Sequence, residues 1–437
     1  MSTTRADSER SSSPNALQIG LLLVLLGALS RISRAARAPL LDFLSSANLS
    51  FDLELSKLLW LIPLILLIAA VMSRPHFRLL RVDSPLVMLV VCFLYAGASL
   101  MWADSIRYGL AWWMRWIMPL ASYLVIINYT KDWDALKAWA SIFPIMAFGV
   151  LAVCLRDLTF DSSMSFGDPD YDVAGWLGPY TRWAVMSFGF CIHHSVFGEK
   201  RSNRILGFLG VIAAAGAVYI TQRRAGAIAC ALIVIVYLIA IGYRRKRYVF
   251  TFAGFAAVAA IALIADPQYA QRLATIPFVG GAGLAAWEGT PRAIEMLAGL
   301  QVFQENWIIG VGAGNVIPRM QEIMGNVVRA VPHNLIVTMG AEFGVVGLAI
   351  YLAFIALAFR RMHRALRTNL AEGKLHRASL CAAIVATFIA IMFYAMVQPI
   401  RYYLYIYMLA ALGSVAYSAS GCSPRADTDP APDAEEA

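Results

Sequence analysis

The chain has 437 residues, of which 60% are hydrophobic and 14% are charged, and its mean hydropathy is +0.65. A soluble domain contains about 45–50% apolar and about 25% charged residues, so this composition excludes an ordinary soluble globular protein and indicates a polytopic membrane protein. The 36 Lys and Arg outnumber the 27 Asp and Glu, which gives a formal net charge of +9. No basic tract with interleaved aromatic residues suggests nucleic acid binding, and the six Cys show no metal-binding or disulfide spacing.

Twelve hydrophobic runs predict membrane-spanning helices, because a bilayer core about 30 Å thick requires roughly 20 apolar residues per helix. The first run follows two arginines, as in a signal peptide, but no small-residue cleavage site follows it, so we interpret it as a helix. The runs lie near residues 15–31, 57–73, 84–102, 107–128, 134–155, 178–197, 205–221, 225–243, 248–265, 334–358, 378–397 and 401–418. The predicted fold is an all-α polytopic membrane protein with about 12 transmembrane helices.

The positions of Lys and Arg predict the orientation, because alternate short connections carry clusters of them and such connections lie in the cytoplasm. The clusters lie at residues 74–81, 131–137, 200–204, 244–247 and 360–377. With twelve spans, both termini also lie in the cytoplasm.

The same topology predicts the organisation of the chain. Spans 1 to 9 occupy residues 15–265, and spans 10 to 12 occupy residues 334–418. Between them, residues 266–333 form a large periplasmic loop with amphipathic helices, and a segment of this length points to function. The polar tails, 1–14 and 419–437, contain too few apolar residues to pack and are predicted to be disordered.

Arginines are frequent on the predicted outer side, where the positive-inside rule disfavours them. A single arginine there is explained by snorkelling to lipid headgroups, but ten of them favour an anionic ligand, and the planar guanidinium binds phosphate bidentately. The ten are Arg34, Arg37, Arg182, Arg223, Arg224, Arg272, Arg292, Arg319, Arg329 and Arg401.

Residues 221–226 (TQRRAG) join two predicted spans with almost no loop, which fixes Arg223 and Arg224 at the outer membrane surface. A buried guanidinium there requires a negative partner. That partner is either an anionic ligand or an acidic residue such as Glu288 or Glu342.

The outer loop contains a helix start at Thr290 and Pro291, an N-cap residue followed by proline at the first helical position. Arg292 then lies at a helix N-terminus, where backbone N–H groups favour phosphate. The alternative is a surface arginine paired with Glu295. The residues predicted to form the apolar face of this helix are Ile294, Leu297, Leu300 and Phe303.

Two glycine-rich segments follow. Residues 310–315 (GVGAGN) lie outside any βαβ unit, so they indicate a helix stop with a flexible turn rather than a dinucleotide site. Gly340, Gly344 and Gly347 favour close helix packing.

His333 is the only one of six histidines on the predicted outer side, and it precedes the tenth span. The helix dipole there disfavours the imidazolium, so a neutral ring could accept a proton near pH 7 as a general base. The alternative is a helix-starting histidine bonded to the backbone. No nucleophilic triad or metal cluster is visible in the outer segments.

Together these residues resemble the O-antigen ligase (WaaL) family, whose superfamily includes O-antigen polymerases and bacterial O-linked oligosaccharyltransferases. The resemblance comprises Arg292 with residues 307–315 (WIIGVGAGN), residues 333–347 from the His-Asn pair through EFGVVG, and residues 221–226. Residue 223 is arginine where the family has serine. Residues 99–105 (SLMWADS) are similar to a further family segment but lack its proline.

The resemblance implies a GT-C-like, inverting, metal-independent glycosyltransferase of the bacterial inner membrane, with a periplasmic active site and no cofactor. Its donor would be undecaprenyl-diphosphate-linked O-antigen, its acceptor a sugar hydroxyl of lipid A-core, and its surroundings membrane lipid. His333 would be the base, while Arg224 and Arg292 would bind the donor diphosphate. Further candidates for substrate binding are Arg223, Asn334, Arg182 and Arg401.

Other functions remain open at this point. An O-antigen polymerase or an O-linked oligosaccharyltransferase would share these motifs. A transporter of lipid-linked glycans would require a charged relay at mid-bilayer and an internal repeat. Arg115 is the main charge within a predicted span, and the sequence contains no evident repeat.

Overall fold

The computed structural model describes residues 81–160, 173–221, 223–241, 290–325, 328, 330–398 and 404–422. Within these residues the regular structure is helical, with no strand. The α-helices are α1 (Ser84–Ala98), α2 (Ile106–Trp113), α3 (Ile117–Tyr129), α4 (Trp133–Phe160), α5 (Val173–Phe197), α6 (Arg201–Ile220), α7 (Arg224–Ile241), α8 (Pro291–Glu305), α9 (Val316–Met324), α10 (Leu335–Ala371), α11 (Leu375–Ala395) and α12 (Leu404–Ala419).

Seven helical segments in the described part of the chain are long and apolar enough to cross a membrane. They are Ser84–Met101, Ile106–Tyr129, Trp133–Leu155, Arg201–Ile220, Arg224–Ile241, Leu335–Ala371 and Leu375–Ala395. Each overlaps a predicted span. The runs predicted near 178–197 and 401–418 are the helices α5 and α12, whereas those near 15–31, 57–73 and 248–265 lie outside the described residues. The chain is an all-α polytopic membrane protein.

Helix α11 lies at the centre of the bundle, in contact with α5, α7, α10 and α12. Most of its apolar stretch is buried by protein, whereas most of the stretch in α7 is not. Small side chains allow neighbouring helices to approach α11 closely. Those that are fully buried include Ala382, Ala383, Ala386 and Ala390.

The bundle places two polar clusters at opposite ends of α11. At its beginning, His376 lies with its ring centroid 5.1 Å from that of His193, whose Nδ1 is 2.7 Å from Ser379 Oγ. At its other end lies Tyr394, one residue before the helix ends. Three of the arginines predicted on the outer side act on Tyr394 at this second end.

A buried carboxylate joins three helices at the start of α1. Asp83 accepts hydrogen bonds from Leu86 N at 2.9 Å, as the helix N-cap, and from Tyr123 Oη at 3.1 Å. Its other oxygen lies 3.0 Å from Arg361 Nη1 on α10. Asp83 is almost fully buried and Arg361 is largely buried, so each charge requires the other.

We expect Asp83→Ala to lower the free energy of unfolding by about 3 kcal/mol, because it removes a cap and leaves a buried guanidinium unpaired. Thermal unfolding in detergent measures the change as a lower melting temperature. The control is Asp134→Ala, whose exposed carboxylate lies 3.4 Å from Lys137. Exposed pairs contribute about 0–1 kcal/mol, and equal melting temperatures for the two variants would contradict the prediction.

Helix α10 is interrupted at Gly344, which has φ 65° and ψ −171°. The segment after α8 fills the break, since Val311 N donates to Ala341 O at 3.0 Å and Val345 N donates to Trp307 O at 2.7 Å. A Cβ on Gly344 would overlap the Ile308 carbonyl. Helix packing therefore does not account for Gly344, although Gly340 and Gly347 do pack against Phe303 and Tyr95 side chains as predicted.

The helix stop that residues 310–315 predict is confirmed, because α8 ends at Glu305. The prediction of a flexible turn is wrong. All six residues are buried, and Gly310, Gly312 and Gly314 have positive φ angles. Gly314 N also donates to the buried Glu342 side chain. This buried non-helical backbone is tolerated because the broken α10 helix satisfies its polar groups, as where Gly312 N donates to Glu342 O at 2.9 Å.

Candidate active site

Helix α8 carries the first candidate residues. Thr290 is its N-cap, with Oγ1 accepting from Ala293 N at 3.2 Å, and Pro291 is its first residue. The predicted helix start is therefore confirmed. Arg292 lies in the first turn with an exposed side chain, and Glu295 follows one turn later. Residues three apart on a helix are neighbours on its surface.

The predicted apolar face of α8 is buried only in part. Ile294 and Phe303 pack against buried residues, but Leu297 is 54% exposed, and the fully buried residues lie on a neighbouring face. The reason is close packing on the start of α10, where Gly299 meets Pro332 and Val337 with no room for a side chain. The residues that α8 buries are Ala293, Glu295, Ala298, Gly299 and Val302.

His333 contacts this buried face. Its Nδ1 lies 2.9 Å from Oε2 of Glu295, across 38 residues of sequence. The Glu295 side chain is only 8% exposed, whereas that of His333 is 27% exposed. Burial raises the pKa of Glu295, while a backbone hydrogen bond from Ala330 and the charge of Arg292 act in the opposite direction.

The predicted alternative for Arg292, a surface ion pair with Glu295, is not what the structure contains. The carboxylate of Glu295 is bonded to His333, and Arg292 acts on it electrostatically. No carboxylate among the described residues lies within ion-pair distance of Arg292. The contact between Glu295 and His333 was not predicted from sequence, because the two residues are 38 positions apart and meet only through the packing of α8 on the start of α10.

Three of the arginines that the sequence predicts on the outer side interact electrostatically with Tyr394. The fully buried Tyr394 lies beside Thr181 and close enough to Arg182, Arg223 and Arg292 to interact with them electrostatically. These groups come from α5, from the residue before α7, from α8 and from α11, so the fold gathers them from distant parts of the chain. Tyr394 is a further candidate that the sequence did not indicate.

The arginines differ in exposure. Arg182 is 5% exposed, Arg223 is half-buried, and Arg292 and Arg224 are exposed. Arg224 is the first residue of α7 and follows Arg223 directly. The predicted residue Arg401 lies outside the described residues.

Two further predicted residues, Asn334 and Arg319, form hydrogen bonds or ion pairs with other parts of the protein. Asn334 is the N-cap of α10: its Oδ1 accepts from the backbone N–H groups of residues 336 and 337, and its Nδ2 donates to Met396 O at 3.3 Å. It therefore ties the segment that carries His333 to the end of α11. Arg319 lies 2.6 Å from Glu322 and 3.5 Å from Glu305, so for this arginine the protein itself supplies the anions.

The arrangement combines two chemical functions, a proton acceptor and groups that stabilise negative charge. An imidazole with one nitrogen bonded to a buried carboxylate can accept a proton at its other nitrogen. Guanidinium groups nearby can stabilise a developing negative charge. Arg292 is close to both, because its charge interacts electrostatically with Glu295 and with Tyr394. Among the described residues, no group of three His, Cys, Asp or Glu side chains could hold a metal ion.

Residues 209–352 match the O-antigen ligase family model (Wzy_C). The matched stretch contains Arg223, Arg224, Arg292, Glu295 and His333, whereas Arg182 and Tyr394 lie outside it. A search of curated proteins found no match. The family implies a ligase- or polymerase-type glycosyltransferase that acts in a membrane on a lipid-linked glycan and an acceptor. This match, over residues 209–352, supports membership of the O-antigen ligase superfamily.

Proposed function

We propose that the protein is an O-antigen ligase. It transfers O-antigen from undecaprenyl diphosphate to a sugar hydroxyl of lipid A-core, at the periplasmic face of the bacterial inner membrane. The observation that carries this proposal is the proximity of a carboxylate-bound imidazole to a group of arginines: His333 is bonded to Glu295, and Arg292 one turn away also acts on Tyr394.

In this mechanism His333 is the general base. With Nδ1 bonded to Glu295, Nε2 takes the proton of the acceptor hydroxyl as its oxygen attacks the anomeric carbon of the donor. The bond from that carbon to the phosphate oxygen breaks, and the diphosphate leaves with the electron pair. Attack opposite to the leaving group inverts the anomeric configuration. The proton then passes from His333 to water, so no covalent intermediate with the enzyme is required.

The arginines bind the diphosphate and stabilise the charge that develops on it. A guanidinium is suited to this role because its planar N–H groups match phosphate oxygens in pairs. The deeply buried Arg182 and the half-buried Arg223 act where water screens charge least. Arg292, with its exposed side chain, reaches toward the incoming donor, and Arg224 adds a further charge at the start of α7. These groups can neutralise the leaving diphosphate without a metal ion.

Deletion of the gene tests the proposal against its alternatives. For a ligase, we expect lipopolysaccharide gels of the deletion strain to lose all long O-antigen while the lipid-linked polymer accumulates. Attachment of a single repeat unit to the core would instead identify a polymerase, and unchanged lipopolysaccharide would favour protein glycosylation. Glycan transfer by purified protein in detergent, where there is no membrane to cross, would exclude a transporter.

A further inference from the structure

Glu295 is the one charged side chain among the residues that α8 buries. Ala293, Ala298, Gly299 and Val302 bring the helix close to α10, and Glu295 is the exception on this small, apolar face. A buried carboxylate is costly unless it is hydrogen-bonded. An apolar residue would pack this face at lower cost, so stability alone does not account for Glu295.

The Glu295 carboxylate forms hydrogen bonds with the segment that precedes α10. Its Oε2 lies 2.9 Å from Nδ1 of His333, and the backbone N–H of Ala330 also donates to the carboxylate. Both partners belong to the segment that leads into α10. Arg292, on the same helix as Glu295, is the charged side chain that acts on the carboxylate.

We propose that Glu295 is a positioning residue for His333, and this inference rests on the proposed function. Its carboxylate accepts the Nδ1–H of the ring, which fixes the tautomer and directs the lone pair of Nε2 toward the acceptor hydroxyl. When Nε2 takes the proton, the carboxylate stabilises the imidazolium and is not itself protonated. The proton therefore remains on His333 until it is released to water.

The same pair accounts for how His333 remains effective near the arginines. Arg292 disfavours a second positive charge in its vicinity, and an imidazolium is such a charge. The Glu295 carboxylate lies 2.9 Å from the ring nitrogen and offsets this repulsion at the ring. Because the carboxylate and the ring share a hydrogen bond, proton binding at one affects the other, and the acid limb of the pH–rate profile reports both groups.

The test uses the full-length protein in detergent, with undecaprenyl-diphosphate-linked O-antigen as donor and lipid A-core as acceptor. Glu295→Gln keeps the size of the side chain and an oxygen that can accept from Ala330 N. We expect kcat to fall at least about tenfold, as part of the 10²–10⁴-fold that a general base contributes, with KM for both substrates nearly unchanged. The acid limb of the profile should move to lower pH, because the imidazolium loses its carboxylate.

Two further variants make the test specific. Glu295→Asp retains the carboxylate, and we expect it to recover part of the lost kcat and the acid limb. Glu305→Gln is the matched control on the same helix, since its exposed carboxylate bonds to Gln301 and Arg319. We expect Glu305→Gln to transfer glycan at the wild-type rate.

The inference is overturned if Glu295→Gln retains the wild-type kcat and pH profile. It is also overturned if Glu295→Gln and Glu295→Asp both lose the folded protein, because Glu295 would then be structural. Failure of the proposed function is distinguishable, since in that case the wild-type protein itself would transfer no glycan to lipid A-core.

Discussion

Replacing His333 with alanine is expected to abolish glycan transfer while the protein still inserts into the membrane. Removal of the general base should lower kcat by at least about 100-fold, given the 10²–10⁴-fold that such catalysis contributes. Insertion should persist because His333 precedes α10, whose N-cap is Asn334, and its side chain is 27% exposed. Complementation of the deletion strain and transfer by the purified variant measure the effect.

A second histidine provides the control. His363 lies on α10 with an exposed side chain, where its ring stacks on that of Phe359 with 6.0 Å between centroids. We expect His363→Ala to support transfer at the wild-type rate. Transfer at that rate by His333→Ala would show that another group, or none, takes the proton.

The membrane helices could be predicted from sequence because the thickness of the bilayer acts on every span locally. Hydropathy marks where a helix leaves the membrane, however, and not where the helix ends. The span predicted near 334–358 continues as α10 to Ala371, through a stretch rich in arginine. The span predicted near 134–155 likewise continues as α4 to Phe160. Basic and polar residues end the apolar run but not the backbone hydrogen bonding.

The face of α8 could not be predicted by the same reasoning. A pattern of large apolar residues identifies a buried face when side chains fill the space between helices. Here the partner is so close that the contact consists of Gly299 against Pro332, and large residues such as Leu297 are excluded from it. The buried polar residue on this face, Glu295, was for that reason assigned to the surface.

The candidate site was predicted in part. The sequence indicated His333 and the arginines from their predicted side of the membrane, which follows from hydropathy and charge along the chain. It did not indicate Tyr394 or the bond from His333 to Glu295, because these depend on which helices are neighbours. Similarly, Arg223 and Arg224 are equivalent in sequence, but in the structure Arg223 is half-buried and Arg224 is exposed.

The second large effect is expected for Arg292→Ala. This arginine acts on both Glu295 and Tyr394, so in the proposed mechanism it lies between the base and the leaving diphosphate. Loss of one group that stabilises transition-state charge lowers kcat by about 10²–10³-fold. We expect a loss of this size in transfer to lipid A-core. Arg292→Lys should recover only part of it, because lysine keeps the charge but not the bidentate geometry.

The matched control is Arg319→Ala, because Arg319 is also outside the spans but is paired with Glu322 and Glu305. If a general positive potential attracted the donor, both variants would lose activity to a similar degree, and the loss would diminish at high salt. If Arg292 binds the diphosphate directly, only its variant should lose kcat, and salt should have little effect on the difference. Equal activities of the two variants would contradict a direct role for Arg292, since a group that contacts the leaving diphosphate cannot be replaced by a distant charge.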